Sequence, residues 1–196
     1  MKYFWTSDTH YQHFNIIRYT NRPFKTLEEM DNRLINNYNA RVKESDVCFH
    51  LGDFCFKNSP GGKEGEGGPD KAVSFEKQLH GKMILLHGNH DHNNSAKTII
   101  ESMTIKHGGK TIFMQHRPDR LPNFFMEKID LILCGHVHEK WEYREHNHIP
   151  VINVGVDVFK FYPVDISEII ERLAKHTKLI KEKEKRNDLS RLEQGT

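Results

Sequence analysis

The sequence predicts a layered α/β fold, because short apolar runs alternate with segments of helical periodicity along its 196 residues. A capping-box pattern at residues 26–29 marks the start of one helix between two such runs. Near the C-terminal end, residues 141–145 precede another apolar run after a short turn, which indicates an antiparallel pair. These features favour a layered α/β fold with some antiparallel pairing late in the chain.

The apolar runs predict buried or half-buried strands, and they lie at residues 3–5, 47–51, 83–86, 111–114, 131–134 and 151–154. Helices are expected between and after them. The first follows the capping box, with apolar positions recurring at helical spacing through Val42. Further helices are predicted at residues 70–79, 95–102 and 167–185, the last with Ile169, Ile170, Leu173 and Ile180 facing inward.

The length is sufficient for one domain with a substantial core, which we place at residues 1–175. Residues 176–196 are dominated by charge and are expected to form a solvated helix extension and tail. The Gly-rich segment 57–69 is predicted to be a surface loop, either a tolerated insertion or a lid over a nearby site. The formal charge of +2 is spread along the chain, so charge alone demands neither a nucleic acid nor a membrane as partner.

The three cysteines form no CxxC pair, and Cys48 and Cys134 lie within apolar runs. We therefore expect reduced core cysteines, as in a cytosolic protein. The first residues do not resemble a secretory leader, and no apolar stretch reaches the roughly 18 residues that a membrane span needs. The expected location is the cytoplasm.

Five of the apolar runs end in side chains that commonly bind metals. In an extended chain, residues two apart project to the same side, so Asp8 and His10 are expected to meet one ion. Gly52 permits a sharp turn that places Asp53 at the carboxyl end of its strand, where open α/β sheets keep their sites. The candidates after the third, fourth and fifth runs are Asn89, His90, Asp91, His116, His136 and His138.

Each of these side chains has an ordinary alternative role. Asp and Asn serve as helix caps or turn residues, and a single His at a strand end is often no more than a polar residue. Those alternatives would have to hold together at five strand ends, so we interpret the set as one metal site.

The ordered motifs resemble those of the calcineurin-like metallophosphoesterases, in particular the small single-domain phosphodiesterase type. The resemblance rests on Asp8-x-His10, Gly52-Asp53, Gly88-Asn89-His90-Asp91, His116 and Gly135-His136-x-His138. It spans residues 8–138, and Asn153-Val154-Gly155 also resembles a strand end of that family. The resemblance implies a two-sheet β-sandwich flanked by helices, with the site at one edge.

The resemblance also implies two divalent metal ions. One ion would take Asp8, His10, Asp53 and His138, and the other Asp53, Asn89, His116 and His136, so that Asp53 bridges. A bridging carboxylate offsets the repulsion between two dications that lie roughly 3.5–4 Å apart in two-metal hydrolases. Oxygen and nitrogen ligands suit several transition metals, and we expect Mn²⁺, with Fe, Zn, Ni and Co as alternatives.

The implied reaction is attack of a metal-bridging hydroxide on a phosphoester, with His90 protonating the leaving group. Asn89 would help to neutralise charge on the phosphoryl oxygens. Asp91 either orients His90 or caps the following turn, and the sequence leaves both open. Candidate substrate contacts are Arg117, Arg120 and His13.

Two positions depart from the family's patterns. Phe56 stands where the protein-phosphatase branch has a carboxylate partner for the acid histidine, which argues against a Ser/Thr protein phosphatase. Gln115 replaces the glycine that often precedes the histidine of the fourth motif.

We expect a phosphodiesterase that acts on a nucleotide or a nucleic-acid end. A phosphomonoesterase with the same site is an alternative. A metal-binding scaffold without catalysis, such as the retromer subunit of this fold, is an alternative from another class. The sequence does not decide the oligomeric state or the physiological substrate.

Overall fold

The computed structural model describes residues 1–56, 72–91, 98–123 and 128–193, and it contains two mixed sheets flanked by helices. The strands are β1 (Tyr3–Thr6), β2 (Val47–His50), β3 (Lys82–Leu85), β4 (Ser102–His107), β5 (Lys110–Gln115), β6 (Leu131–Cys134), β7 (Tyr143–His146), β8 (Ile149–Asn153) and β9 (Val164–Asp165). The helices are α1 (Phe14–Tyr19), α2 (Leu27–Arg41), α3 (Ala72–Glu76) and α4 (Ile166–Glu193). The predicted two-sheet α/β architecture is confirmed.

Each sheet has a parallel centre. The four-stranded sheet has the order β3-β2-β1-β9, in which β1, β2 and β3 are parallel and β9 is antiparallel to β1. The five-stranded sheet has the order β4-β5-β6-β8-β7, in which β5, β6 and β8 are parallel. Because the carboxyl ends of parallel strands meet at one edge, the residues that follow these strands converge there.

The main core lies between the two sheets. Trp5 of the first sheet is fully buried, and its indole Nε1 donates to Met114 Sδ of the second sheet at 3.1 Å. Apolar side chains from both sheets surround this contact, including Phe49, Leu86 and Leu133. A second core cluster packs α2 and α3 against the outer side of the four-stranded sheet, around Met30 and Phe75. The sandwich therefore holds the strand ends at a fixed separation.

The helix predictions were partly correct. Thr26 Oγ1 accepts a hydrogen bond from the backbone N–H of Glu29, which confirms the cap of α2, and the Glu29 carboxylate accepts from the backbone N–H of Lys25. The last helix reaches Glu193, with Ile169 fully buried and Ile170 and Leu173 half-buried. The predicted tail therefore continues as helix through residue 193. The Gly-rich segment 57–69 lies outside the described residues.

The helix predicted at 95–102 was wrong in its described part. Residues 98–100 are irregular and Ser102 begins strand β4, while residues 92–97 lie outside the described part of the chain. β4 pairs with β5 through a turn at Gly108 and Gly109, both at positive φ. The pairing across this hairpin outweighed the weak helical periodicity. Strand β9 and helix α1 were also not predicted.

The three cysteines are free and buried, as expected. Within the described residues, every helix is too short or too polar to cross a lipid bilayer.

Candidate metal centre

The strand ends bring the predicted ligands together at the carboxyl edge of both sheets. Asp8 and His10 follow β1, Asp53 follows β2, and Asn89 follows β3. His116 comes directly after β5 of the other sheet. His136 and His138 follow β6, so the candidate ligands bridge the sandwich at one edge.

At several candidate ligands the backbone is in the left-handed conformation, with positive φ, and is not extended. Asp8 and His10 have φ values of 58° and 51°, so the expectation that they converge as alternate residues of an extended strand was wrong. The side chains still meet, because the chain turns sharply at each of them. Positive φ in non-glycine residues costs about 1–3 kcal/mol each and is typical of functional sites. Further candidate ligands share this conformation: Asp53, His136 and His138.

The side chains form two groups of three. In the first group, ligand atoms of Asp8, His10 and His138 lie within 4.8 Å of one another. In the second group, the same holds for Asp53, His116 and His136. Asn89 joins the second group, because its Oδ1 lies 3.1 Å from Nε2 of His116. The grouping matches the two ligand sets that the resemblance implies.

Asp53 faces both groups with one oxygen. Its Oδ2 lies 3.5 Å from Nε2 of His10 in the first group and 3.3 Å from Nε2 of His116 in the second. Its other oxygen accepts the backbone N–H of His90 at 2.8 Å. Burial alone would raise the pKa of the Asp53 carboxyl, but the hydrogen bond with His116 and the positive charge of His116 hold the pKa below its usual range. The carboxylate is therefore ionised and shared.

The hydrogen bonds of His116 determine which nitrogen carries a proton. Nδ1 lies 2.8 Å from the carbonyl oxygen of Leu51, which can only accept, so Nδ1 donates. In the neutral ring, Nε2 then presents a lone pair toward two oxygens, Asp53 Oδ2 and Asn89 Oδ1. Three acceptors facing one another need a cation between them. Burial would lower the pKa of His116, but the Asp53 carboxylate raises it to about 9, so without metal a proton supplies that charge.

His10 and Asp8 provide a second test of whether this site fits a metal. Nε2 of His10 is buried and has no hydrogen-bond partner within the described structure. Burial lowers the pKa of His10 well below its usual value, so the ring is neutral, the form that binds metals. Burial also raises the pKa of the Asp8 carboxyl, against the fields of His116 and His138. A bound cation would give Nε2 of His10 a partner, and it would offset the negative charge of the buried Asp8 carboxylate.

Two residues that sequence reasoning missed hold the first group in place. The Asp157 carboxylate accepts from His138 Nδ1 at 2.8 Å, which directs His138 Nε2 toward Asp8 and His10. Arg22 forms a bidentate pair with Asp157 at 2.8 and 3.0 Å, and it also donates to the carbonyl oxygens of Asp8 and Thr9. Both side chains are almost fully buried. A carboxylate behind a ligand histidine is a common feature of metal sites.

Asp91 is buried, and its carboxylate ties two motif loops together. It accepts the backbone N–H groups of Asp53 at 2.9 Å, Phe54 at 3.1 Å and Gly88 at 2.7 Å. These contacts fix the loop after β2 to the loop after β3, and they give Asp91 a role that the sequence did not predict. The turn that follows Asp91 lies outside the described residues, so its two predicted roles stay predictions.

Glycines are required where carboxylates pack against backbone. A Cβ on Gly88 would lie 2.2 Å from Asp53 Oδ1, and one on Gly135 would lie 2.5 Å from Asp8 Oδ2. Real Cβ atoms do not approach so closely. The glycines of these two motifs therefore make room for the carboxylates.

His90 lies exposed at the rim of the site. Its ring centroid is 5.4 Å from that of His10 and 5.6 Å from that of Phe56. His13, by contrast, is only 5% exposed, stacks on Phe56 at 4.0 Å, and has its Nδ1 3.4 Å from Nδ1 of His10. His13 therefore lies behind the candidate ligand His10, and its predicted substrate contact stays a prediction.

Two cavities border the second ligand group. The first, of about 320 Å³, is lined by Asn89, His116, Arg117 and Arg120 among others. The second, of about 380 Å³, is lined by His136, by Trp141 and apolar side chains, and by polar side chains that include Asp119 and Arg144. Arg117 is held by Asp119 through two hydrogen bonds at 3.0 and 2.6 Å. The two predicted arginines thus lie beside the second ligand group.

Comparison with known proteins agrees with this geometry. Residues 1–160 match the model of the calcineurin-like phosphoesterase superfamily domain. The uncharacterized protein MJ1445 of Methanocaldococcus jannaschii is 32% identical over 177 residues, which cover 89% of this chain and 92% of that protein. A crystal structure of AQ665 from Aquifex aeolicus, a protein of unknown function, superposes with a TM-score of 0.65 at 26% identity and covers 87% of this chain and 98% of that one. The family implies divalent metal ions, and the chain belongs to the calcineurin-like phosphoesterase superfamily.

Proposed function

We propose that the protein is a phosphodiesterase that uses two divalent metal ions and acts on a nucleotide or nucleic-acid type of phosphodiester. The observation that carries the proposal is the position of Asp53, whose Oδ2 lies within 3.5 Å of an imidazole nitrogen in each of two ligand groups. A carboxylate shared in this way is the usual bridge of a two-metal hydrolase.

The ligand sets follow from the two groups. Asp8, His10 and His138 would hold one ion together with Asp53. Asn89, His116 and His136 would hold the other, again with Asp53. The donors are oxygen and nitrogen atoms without a thiolate, which suits Mn²⁺, our first choice, and also Fe, Zn, Ni and Co.

When bound, such ions lower the pKa of a water molecule, so that it can act as the nucleophile, and they neutralise charge on the phosphoryl oxygens. The chain's own groups supply the rest. His90 lies exposed at the rim, where its imidazole would donate a proton to the departing alkoxide. Its backbone N–H is anchored on Asp53 Oδ1, so the acid is fixed relative to the shared carboxylate. Asn89 would contact the phosphoryl group from the second ligand set.

The two cavities favour a diester over a monoester. A diester carries an ester arm on each side of phosphorus, whereas a monoester carries one. One cavity reaches Asn89 and His116, and the other reaches His136. Both therefore open onto the same ligand group, and each offers space for one arm.

The proposal is tested with purified protein supplied with Mn²⁺, Ni²⁺, Co²⁺ or Zn²⁺ in turn. Rates on bis(p-nitrophenyl) phosphate and p-nitrophenyl phosphate are compared, together with a dinucleotide and a cyclic nucleotide. We expect faster hydrolysis of the diesters. Faster hydrolysis of the monoester would replace the proposal by a phosphomonoesterase, and no hydrolysis with any of the metals would support a catalytically silent scaffold.

A further inference from the structure

We propose that the cavity beside His136 binds a nucleobase of the substrate, so that Trp141 and Arg144 select nucleotides over other phosphoesters. This inference rests on the proposed function and assigns one arm of the diester. We call this space the aromatic cavity. The lining side chains that matter here are Leu121, His136, Val137, Trp141 and Arg144.

The size and composition of the aromatic cavity suit a flat ring. Its volume is about 380 Å³, within the range of about 300–1,000 Å³ that is typical of small-ligand sites. Trp141 is half-buried and packs against the core cluster that includes Phe113 and Val151, so its position is fixed. Leu121 packs against the same cluster. An indole that is supported from behind can present a firm surface to the cavity.

Arg144 adds a second planar group. Its guanidinium carbon lies 5.0 Å from the centroid of the Trp141 ring, and the residue is exposed. Guanidinium and indole planes are the groups on which bases stack in nucleic-acid sites. One base–aromatic stack is worth about a tenfold gain in affinity.

The lining of the aromatic cavity includes polar side chains, which favours a nucleobase over a plain hydrocarbon ring. These side chains are Arg144, Glu145 and His146 of strand β7, together with Asp119. A nucleobase has an aromatic face surrounded by hydrogen-bonding edges. The lining of the cavity offers both kinds of group, planar groups for stacking and polar side chains for hydrogen bonds.

His136 connects the aromatic cavity to the reacting centre. It lines the cavity and also belongs to the ligand group with Asp53 and His116. A phosphate bound at that group therefore places its ester arm at the mouth of the aromatic cavity.

The experiment measures binding by calorimetry on Mn²⁺-loaded protein, with AMP, ribose 5-phosphate and phenyl phosphate at the same free metal concentration. AMP and ribose 5-phosphate share the phosphate and the sugar, so their affinity ratio reports the base alone. We expect a ratio of about tenfold in the wild type. In Trp141→Leu the affinity ratio should fall to about one. In Arg144→Gln, a substitution at an exposed position, the affinity ratio should decrease several-fold.

Arg18→Gln is the matched control, since the Arg18 guanidinium also lies over a ring, that of Phe14 at 5.3 Å, outside the aromatic cavity. This variant should keep the wild-type ratio, and Trp141→Phe should retain most of it. Equal affinities for AMP and ribose 5-phosphate in the wild type, or a preference that survives Trp141→Leu, would overturn the inference. Phenyl phosphate binding more tightly than AMP would overturn the nucleoside assignment.

The binding assay does not depend on turnover. A protein that hydrolyses diesters but binds AMP and ribose 5-phosphate equally would contradict this inference alone. A protein that prefers AMP but hydrolyses no phosphoester would contradict the proposed function and leave the aromatic cavity as a nucleotide site.

Discussion

The carboxylate of Asp157 lies 2.8 Å from Nδ1 of His138, and its two oxygens also receive the guanidinium of Arg22 at 2.8 and 3.0 Å. Burial alone would raise the pKa of Asp157, but Arg22 and His138 lower it. The carboxylate is therefore charged, and it keeps the proton of His138 on Nδ1 and the lone pair on Nε2. The orientation of one candidate ligand thus depends on a residue 19 positions later in the chain.

Replacing Asp157 by Asn should weaken metal binding without removing a ligand. Loss of such a partner typically lowers metal affinity about 10–100-fold. The change also leaves Arg22 buried without its charge partner, which should cost about 3–5 kcal/mol of stability. Metal titration and thermal unfolding measure the two effects. Glu139→Gln removes an equal charge from an exposed position next to His138 and should change neither quantity.

The candidate site was predictable because its signals are local. Each apolar run forms a buried or half-buried strand, and after five of the six runs the candidate ligands follow within a few residues, as Asp53 does after β2. Asp157 and Arg22 carry no such signal. Asp157 contacts His138, which lies 19 residues before it, and Arg22 contacts Asp157, which lies 135 residues after it. The sequence around each residue does not indicate its partner.

The missed strand β4 is a different case, since its sequence does contain a signal. Met103 and Ile105 are half-buried, and they alternate with exposed residues along the strand. The Gly108-Gly109 turn, with φ values of 57° and 73°, is typical of a tight hairpin. The two-residue strand β9 and the six-residue helix α1 are too short for any periodicity to show.

Asp53→Asn should release metal and abolish activity together. The amide keeps the shape of the side chain but removes the negative charge that faces both His10 and His116. We expect affinity to fall by more than about 100-fold, the upper end of the loss seen for residues that only orient a ligand. Elemental analysis after gel filtration measures the bound ions. A variant that retains two ions per chain would contradict the bridging role.

His90→Ala should separate catalysis from metal binding. The imidazole is exposed, and only the backbone N–H of His90 contacts Asp53, so the ligand groups should remain intact. Loss of a general acid typically lowers turnover by about 10²–10⁴. Rates on a diester with a poor leaving group should fall most, because that alkoxide needs the proton. Unchanged turnover with such a substrate would refute the acid assignment.

Gly135→Ala should disturb the first ligand group through a steric clash. The added Cβ would lie 2.0 Å from Ser7 Oγ and 2.5 Å from Asp8 Oδ2, so the Asp8 side chain must move. We expect weaker binding of one ion and lower thermal stability. Gly109→Ala is the control, because its Cβ meets nothing within 4 Å although its φ is +73°. That variant should lose about 1–2 kcal/mol of stability from the left-handed backbone and keep both ions.

The stability of the metal-free protein should decrease as the pH rises from 6.5 to 9. Burial alone would lower the pKa of His116, but the Asp53 carboxylate raises it from 6.5 to about 9. The folded protein therefore holds this proton more tightly than the unfolded chain does. The resulting stabilisation is fully present below pH 6.5 and is lost as the pH rises through 9. Thermal unfolding of metal-free protein across this range should show the decrease. Burial alone would lower the pKa of His138, but the hydrogen bond with Asp157 raises it, so His116→Gln should reduce the decrease and not abolish it.

Metal and proton compete for the same lone pair on Nε2 of His116, because Nδ1 stays committed to the carbonyl oxygen of Leu51. Metal binding at pH 7.5 should therefore release about one proton from this residue. Calorimetry in buffers with different ionisation enthalpies counts that proton. In metal-loaded protein the slope of stability between pH 6.5 and 9 should disappear, since the ion replaces the charge that the proton supplied. A proton count near zero at pH 7.5, with metal bound, would show that His116 is not a ligand.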